Sequence, residues 1–286
     1  MNDQPSSTPV ASHASASARP MARVSLKWGM VEAGPLSILE KFQLLKDLGF
    51  DGVELDSPND LPLDEVIEAR DRTGLAIPGV VNSRHWKVPL TDPDPAVRAA
   101  CVESMVTALH DAKRCGASTV LLVPGVVNAT TSYAQAYDRA IEEISKLVPH
   151  AEETGVAIAL ENVWNDFLLS PLEAARFVDA FDHPLIGWYF DVGNVLRYGR
   201  PAHWIEALGH RILKVDVKEF SLARMNAEGP WKGFEVELGD GDCDWPAVNR
   251  ALAGIGYSGW VSAEVPGGDR DRLAAIRERM AKIAAA

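Results

Sequence analysis

What this chain lacks narrows its function before any motif is read. Basic residues are outnumbered, with 28 Lys and Arg against 40 Asp and Glu and a formal net charge of -12. Nucleic-acid binders carry a basic patch that displaces counterions from phosphates, so a DNA-repair nuclease is disfavoured and no nucleic-acid partner is expected. No apolar run approaches the roughly 20 residues of a membrane span, and no charged segment followed by an apolar one opens the chain. The expectation is a cytoplasmic protein with no membrane partner. The three cysteines, Cys101, Cys115 and Cys243, form no CxxC pair and read as reduced bystanders. No GxGxxG follows an early strand-like run, which removes the usual signature of a dinucleotide fold. No glycine-rich cradle accompanies Arg224 and Lys232, so these read as a solvated face.

What is present is a globular composition, 47% hydrophobic and 24% charged, with ample material for a buried core. Residues 1–20 are rich in Ser, Ala and Pro without a periodic apolar face and read as a disordered leader; residues 21–286 read as one catalytic domain. From Arg23 onward, short β-prone runs alternate with helical patterns eight times: RVSLKW, GVEL, AIPGVV, STVLLV, VAIALE, IGWYFD, ILKVDVK and SGWVSAE. Between the first two, Ile38, Leu39, Phe42, Leu45 and Leu48 recur near the 3.6-residue helical period. Gly116 and Gly155 stand where a helix end needs a left-handed residue. Eight units that start on a strand and end on a helix predict an α/β fold, a single (β/α)8 TIM barrel. Two connections are long for such a fold, NSRHWKVPLTDPDP after strand 3 and EFSLARMNAEGPWKGFEVELGDGDCDW after strand 7. Both lie on the face where barrels place their chemistry.

That face collects acids. Glu161, Asp191 and Glu264 end the fifth, sixth and eighth strands, and Asp216 sits late in the seventh. A buried strand that closes on a carboxylate is costly unless the charge is paired or binds a metal. Side chains alternate along a strand, so Glu161 shares a face with Ala157 and Ala159, while Val156, Ile158 and Leu160 take the other. The acids therefore point into the barrel, and a converging set of oxygen donors suits one divalent ion, Mn or Mg. A helix-capping or ion-pairing role for each acid is the alternative.

At these residues the sequence resembles the xylose-isomerase-like sugar isomerase/epimerase superfamily, over nearly the whole chain after Arg23. The stretches that carry the resemblance are HWKVPLTDPDPAVR, STVLLVPGVV, IALEN, FDVGNVLRYGRPAHWIEALGHRILKVDVKEF and GDGDCDWPAVNRALAGIGYSGWVSAEVPGGD. The resemblance implies metal ligands at Glu161, Asp191, Asp216 and Glu264, with Glu161 and Glu264 doubling as catalytic acid and base. Relatives commonly carry a histidine where this chain has Asp216, in a pattern like HVKD against DVKE here. The substitution adds a negative charge that a proton or a cation must balance, and Lys214 and Lys218, two positions to either side, are the expected sources. At Asn194, where epimerase relatives often carry a histidine, the amide still hydrogen-bonds a sugar hydroxyl but cannot act as a general acid.

The implied activity is that of an isomerase, a ketose 3-epimerase or aldose-ketose isomerase, abstracting a proton beside a carbonyl and passing through an enediolate. A small sugar is the expected partner, bound by His85, Asn194, Trp28, Trp86 and Lys218, and self-association of such barrels into a homo-oligomer is compatible with the sequence. Two other readings share the site: a dehydratase or lyase of a keto-sugar or keto-inositol, and a sugar-binding relative without catalysis.

Overall fold

A computed structural model describes residues 23–286; the expected leader over 1–20 lies outside the described residues. Eight strands follow in order: β1 (Arg23–Lys27), β2 (Gly52–Ser57), β3 (Gly79–Asn82), β4 (Thr119–Leu122), β5 (Ala157–Glu161), β6 (Ile186–Asp191), β7 (Ile212–Val217) and β8 (Trp260–Ala263). Each pairs in parallel with the next, and β8 returns to β1, so the sheet is a closed barrel. The helices that cover it are α1 (Ile38–Asp47), α2 (Leu63–Thr73), α3 (Pro95–Cys115), α4 (Tyr133–Thr154), α5 (Pro171–Asp179), α6 (Val192–Val195), α7 (Pro201–Leu208), α8 (Leu222–Glu228), α9 (Trp245–Gly254) and α10 (Arg270–Ala284).

Local chemistry sets the ends of these elements. Asp94 accepts from the Ala96 N–H just ahead of Pro95, which has no N–H of its own to satisfy, and α3 starts there. Ser132 and Gln135 form a reciprocal capping box at the start of α4. Gly116 and Gly155 end α3 and α4 at φ +74° and +70°, a conformation that costs a side-chain-bearing residue about 1 kcal/mol or more.

Alternation divides each strand between two layers. Ile158 and Leu160 face the helices in the main core, whereas Ala159 meets Leu121 and Tyr189 inside the barrel. One irregularity matters for the site. Tyr189 pairs with Lys214 while Trp188 pairs with Ile212, so Leu213 is an extra residue on β7. Its side chain occupies the space that a side chain at position 187 would need, a Cβ there falling 2.5 Å from Leu213 Cγ, which explains Gly187.

The expected long connections run over 83–94 after β3 and 218–244 after β7, the second holding α8 and a 3-10 turn over Pro230–Phe234. The segments 123–132 and 162–170, after β4 and β5, are also longer than the usual 2 to 6 residues. The first of them continues the apolar run of its strand, which hides where the strand stops. No helix among the described residues is long and apolar enough to cross a membrane.

Candidate active site

The parallel register lines up the strand ends. Asp191 pairs with Asp216, Glu161 with Tyr189 and Asp216 with Ser262. The Glu264 N–H then donates to the Val217 carbonyl at 3.1 Å, bringing the fourth acid to the same rim. One carboxylate oxygen from each of Glu161, Asp191, Asp216 and Glu264 lies within 4.8 Å of the others. Asp191 and Asp216 are fully buried, Glu161 nearly so, and the Glu264 side chain keeps 36% exposure at the mouth.

Three lysines share this pocket, and their placement differs from the sequence expectation. Lys218 Nζ lies 3.0 Å from both Asp191 Oδ2 and Glu264 Oε1. Lys214 is one layer deeper and pairs with Glu54, not with Asp216. The cation beside Asp216 is Lys27, whose Nζ lies 2.9 Å from Asp216 Oδ1, 2.8 Å from Glu54 Oε2 and 3.1 Å from the Tyr189 hydroxyl. That hydroxyl donates to Glu54 at 2.7 Å, closing a buried network beneath the four acids. Sequence reasoning missed Lys27 and Glu54, and the available signal was Glu54 standing as a charged residue between Val53 and Leu55 in the middle of a strand.

These neighbours separate the acids in proton affinity. Burial, reinforced by the charges of Glu264 and Asp191 and only partly opposed by Lys218 and Lys27, pushes Glu161 up to about 8. Burial acts the same way on Glu264, but Lys218 and Lys27 more than reverse it and bring it down to about 2. Burial raises Asp216 well above the carboxylate range against the pull of Lys27, and the Glu264 and Glu54 charges add to the rise. Counted as ionised, the five carboxylates here, Glu54 included, exceed the three ammonium groups by two charges, which protons on Glu161 and Asp216 or a divalent ion would offset.

The donor set fits a divalent ion. Among the described residues Glu161 Oε1 and Asp216 Oδ2 are buried without a hydrogen-bond partner, and Asp191 Oδ2 and Asp216 Oδ1 meet only the Lys218 and Lys27 ammonium groups. Hard oxygen donors of this kind match Mg or Mn, and one such ion balances the remaining charge. A second group, His110, His150 and Glu153, also draws donor atoms within 4.8 Å of one another. It sits near the C-terminal ends of α3 and α4, toward the opposite end of the barrel.

The other expected substrate contacts divide. His85 is buried, accepts from the Val123 N–H at 3.4 Å through Nδ1, and meets the half-exposed Trp86 edge-on. Burial holds its imidazole down to about 4, so it is neutral at pH 7. Trp28 instead packs on Phe42, with ring centres 5.8 Å apart, against the main core. The Asn194 amide donates to the Asn162 carbonyl at 3.0 Å, and its backbone N–H donates to Asp191 Oδ1 at 2.8 Å. Asn162, unremarked in the sequence, accepts from the Asp191 N–H and Trp188 Nε1. These bonds orient the Asp191 carboxylate, with Oδ1 on the Asn194 N–H and Oδ2 on Lys218.

The loop after β7 is pinned by Glu219, also missed from sequence. Its buried carboxylate accepts from Gly239 N–H at 2.7 Å, Cys243 N–H at 3.1 Å and Trp245 Nε1 at 2.8 Å. A Cβ at Gly241 would stand 2.6 Å from Glu219 Oε1, so the GDGDCDW stretch is shaped around this acid. Above it, Trp164 meets Phe220, Trp231 and Phe234. Arg224 and Lys232 pair with Glu228 and Glu235 inside the loop itself. A cleft of about 310 Å³ lined by Lys218, Glu219, Phe234, Glu264, Val265 and Pro266 opens at this face.

Comparison with known proteins places this geometry. Residues 42–286 match the sequence profile of the xylose isomerase-like TIM barrel family. An L-ribulose-5-phosphate 3-epimerase of Escherichia coli O1:K1 is 28% identical over 234 residues, covering 77% of this chain and 79% of that protein. An uncharacterised protein of Methanocaldococcus jannaschii is 27% identical over 212 residues, 70% of this chain and 67% of its own length. Among solved structures, a 3-keto-D-glucoside 4-epimerase from E. coli superposes with TM-score 0.78 at 18% identity, covering 93% of this chain and 100% of that one. A D-tagatose 3-epimerase-like protein gives TM-score 0.77 at 23% identity, over 92% and 97%.

Proposed function

The chain belongs to the xylose isomerase-like TIM barrel family, and from that membership we propose that it is a divalent-metal-dependent isomerase that epimerises a ketose at the carbon beside its carbonyl. One observation carries this reading: four carboxylates converge from adjacent strands, and two of them, Glu161 and Glu264, differ sharply in proton affinity. Pairs of acids driven apart in this way are the ordinary arrangement for acid and base work. The relatives named as sugar epimerases support the same class.

Glu161, Asp191, Asp216 and Glu264 would hold the ion, which supplies charge neutralisation for oxyanion character developing on the sugar. Glu264, kept ionised by Lys218 and Lys27 and open to the cleft, removes the proton from the carbon. Glu161, buried on the other side of the cluster and the acid of higher proton affinity in the ion-free protein, returns one to the opposite face, which inverts the centre. His85 is neutral with Nδ1 occupied by Val123, so its Nε2 is the donor left for a sugar hydroxyl. Trp86, half-exposed beside it, offers an apolar face to the ring. Asn194 serves by fixing Asp191, and Lys218 acts on the carboxylates.

The test is ketose turnover in deuterated water. Protein supplied with Mn is incubated with D-fructose, D-tagatose, L-ribulose and L-ribulose 5-phosphate. Deuterium at the carbon next to the carbonyl, together with the epimer, is expected for at least one of them. Exchange followed by loss of water would instead assign the lyase chemistry, and absence of both would leave binding alone.

A further inference from the structure

Resting on the reading of the four carboxylates as a divalent-ion site, we propose that the Lys218 ammonium holds the ion's place in the ion-free protein and competes with the ion for Asp191 and Glu264. One Asp191 oxygen, Oδ1, already accepts from the Asn194 N–H. The remaining Oδ2 is buried and lies 3.0 Å from Lys218 Nζ, which is also 3.0 Å from Glu264 Oε1. An ion that draws on Asp191 Oδ2 and Glu264 Oε1 must share them with this ammonium or displace it.

Lys27 does not play this part. Its Nζ is anchored by Glu54 and the Tyr189 hydroxyl, meets Asp216 Oδ1 at 2.9 Å, lies 3.9 Å from Glu264, and has no ion pair with Asp191 among the described residues. The stem of Lys218 is held in turn, since a Cβ at Gly193 would fall 2.6 Å from the Lys218 Cβ, so the start of α6 lies directly against it. Its tip has somewhere to go: the cleft lined by Phe234, Val265 and Pro266 also includes Lys218. Displacement by rotation of the side chain alone is thus sterically open, and it would bring an ammonium to the mouth where a sugar enters.

Electrostatics gives the sign and scale. A positive charge at contact distance from a divalent ion opposes its binding even under solvent-like screening, so removing the charge tightens the ion by about tenfold or more. Replacement by arginine keeps the charge and should keep the affinity near that of the unaltered protein.

The experiment strips the full chain with chelator and titrates it with Mn, reading free Mn by electron paramagnetic resonance. Unaltered protein, Lys218→Met and Lys218→Arg are compared, with Lys218→Gln in place of Lys218→Met should the methionine variant not fold. Tighter Mn binding by the neutral variant alone is the expected result. Equal or weaker binding by the neutral variant, or equal tightening by Lys218→Arg, overturns the proposal while leaving the ion site intact. No Mn bound by any of the proteins overturns the ion-site reading itself.

Discussion

Lys27 Nζ, at the end of the first strand, lies 2.9 Å from Asp216 Oδ1 on the seventh. The same ammonium bonds Glu54, so it compensates two acids whose side chains are 0% and 1% exposed. Removing one member of a buried ion network strands the others, at a cost of about 3 to 5 kcal/mol. Lys27→Met should therefore lower the urea-unfolding free energy by about that much. Adding Asp216→Asn should recover part of it, and a loss below about 1 kcal/mol would show that the network is dispensable for folding.

Substitution of the acid pair tests the chemistry. Glu264→Gln and Glu161→Gln each remove a proton carrier and should reduce epimerisation by about a hundredfold or more. Glu264→Gln should also abolish solvent deuterium entry. A Glu264→Gln enzyme that still exchanges the proton at near full rate would require a different base.

His85 makes stability depend on pH in a defined direction. Its folded value of about 4 lies below the ordinary 6.5, so between those values the unfolded chain binds more protons than the folded one. Stability from this group is complete above pH 6.5 and is lost as pH falls toward 4, by at most about 3 kcal/mol for a gap of that width. His85→Gln should flatten this part of the stability profile measured by urea denaturation. An unchanged slope would place the acid sensitivity elsewhere.

Glu219 predicts a local effect. Its carboxylate accepts from three backbone N–H groups of the loop after β7, those of Phe220, Gly239 and Cys243, and from the Trp245 indole. Hydrogen bonds to a charged group contribute about 1.5 to 3 kcal/mol each, with strong sharing among neighbours. Glu219→Ala should therefore expose residues 220–244 to limited proteolysis while the barrel stays folded by circular dichroism. Equal protease resistance would mean that the aromatic contacts of Trp164 and Phe234 suffice to hold the loop.

Much of this architecture is legible in the sequence, because a closed parallel barrel repeats one local pattern and each of its strands is local too. Glu161, Asp191 and Glu264 could be read because an acid that ends an apolar strand violates a simple burial rule. Lys27 could not. A lysine at a strand end looks like solvated rim, and its partner Asp216 is brought near only by closure through β8. The Leu213 bulge is equally silent, since the period-2 rule has no way to mark an extra residue, and it bears on the layer in which Lys214 meets Glu54. Asn194 was legible as a polar residue near the site, but whether its amide faces a ligand or the Asn162 carbonyl depends on the backbone of α6.

Closure between β1 and β8 also bears on the order of events during synthesis. Lys27 emerges first and Glu264 nearly last, with most of the chain between them. Contacts of such sequence separation form late, because the intervening loop entropy must be met before they contribute. Until the eighth strand docks, the acids of β5 to β7 lack one edge of their enclosure and remain open to water, where their charges are tolerated. A nascent chain released before Glu264 would thus keep the β1 and β7 edges unpaired and prone to association, and the four-acid cluster would be complete only once β8 has docked.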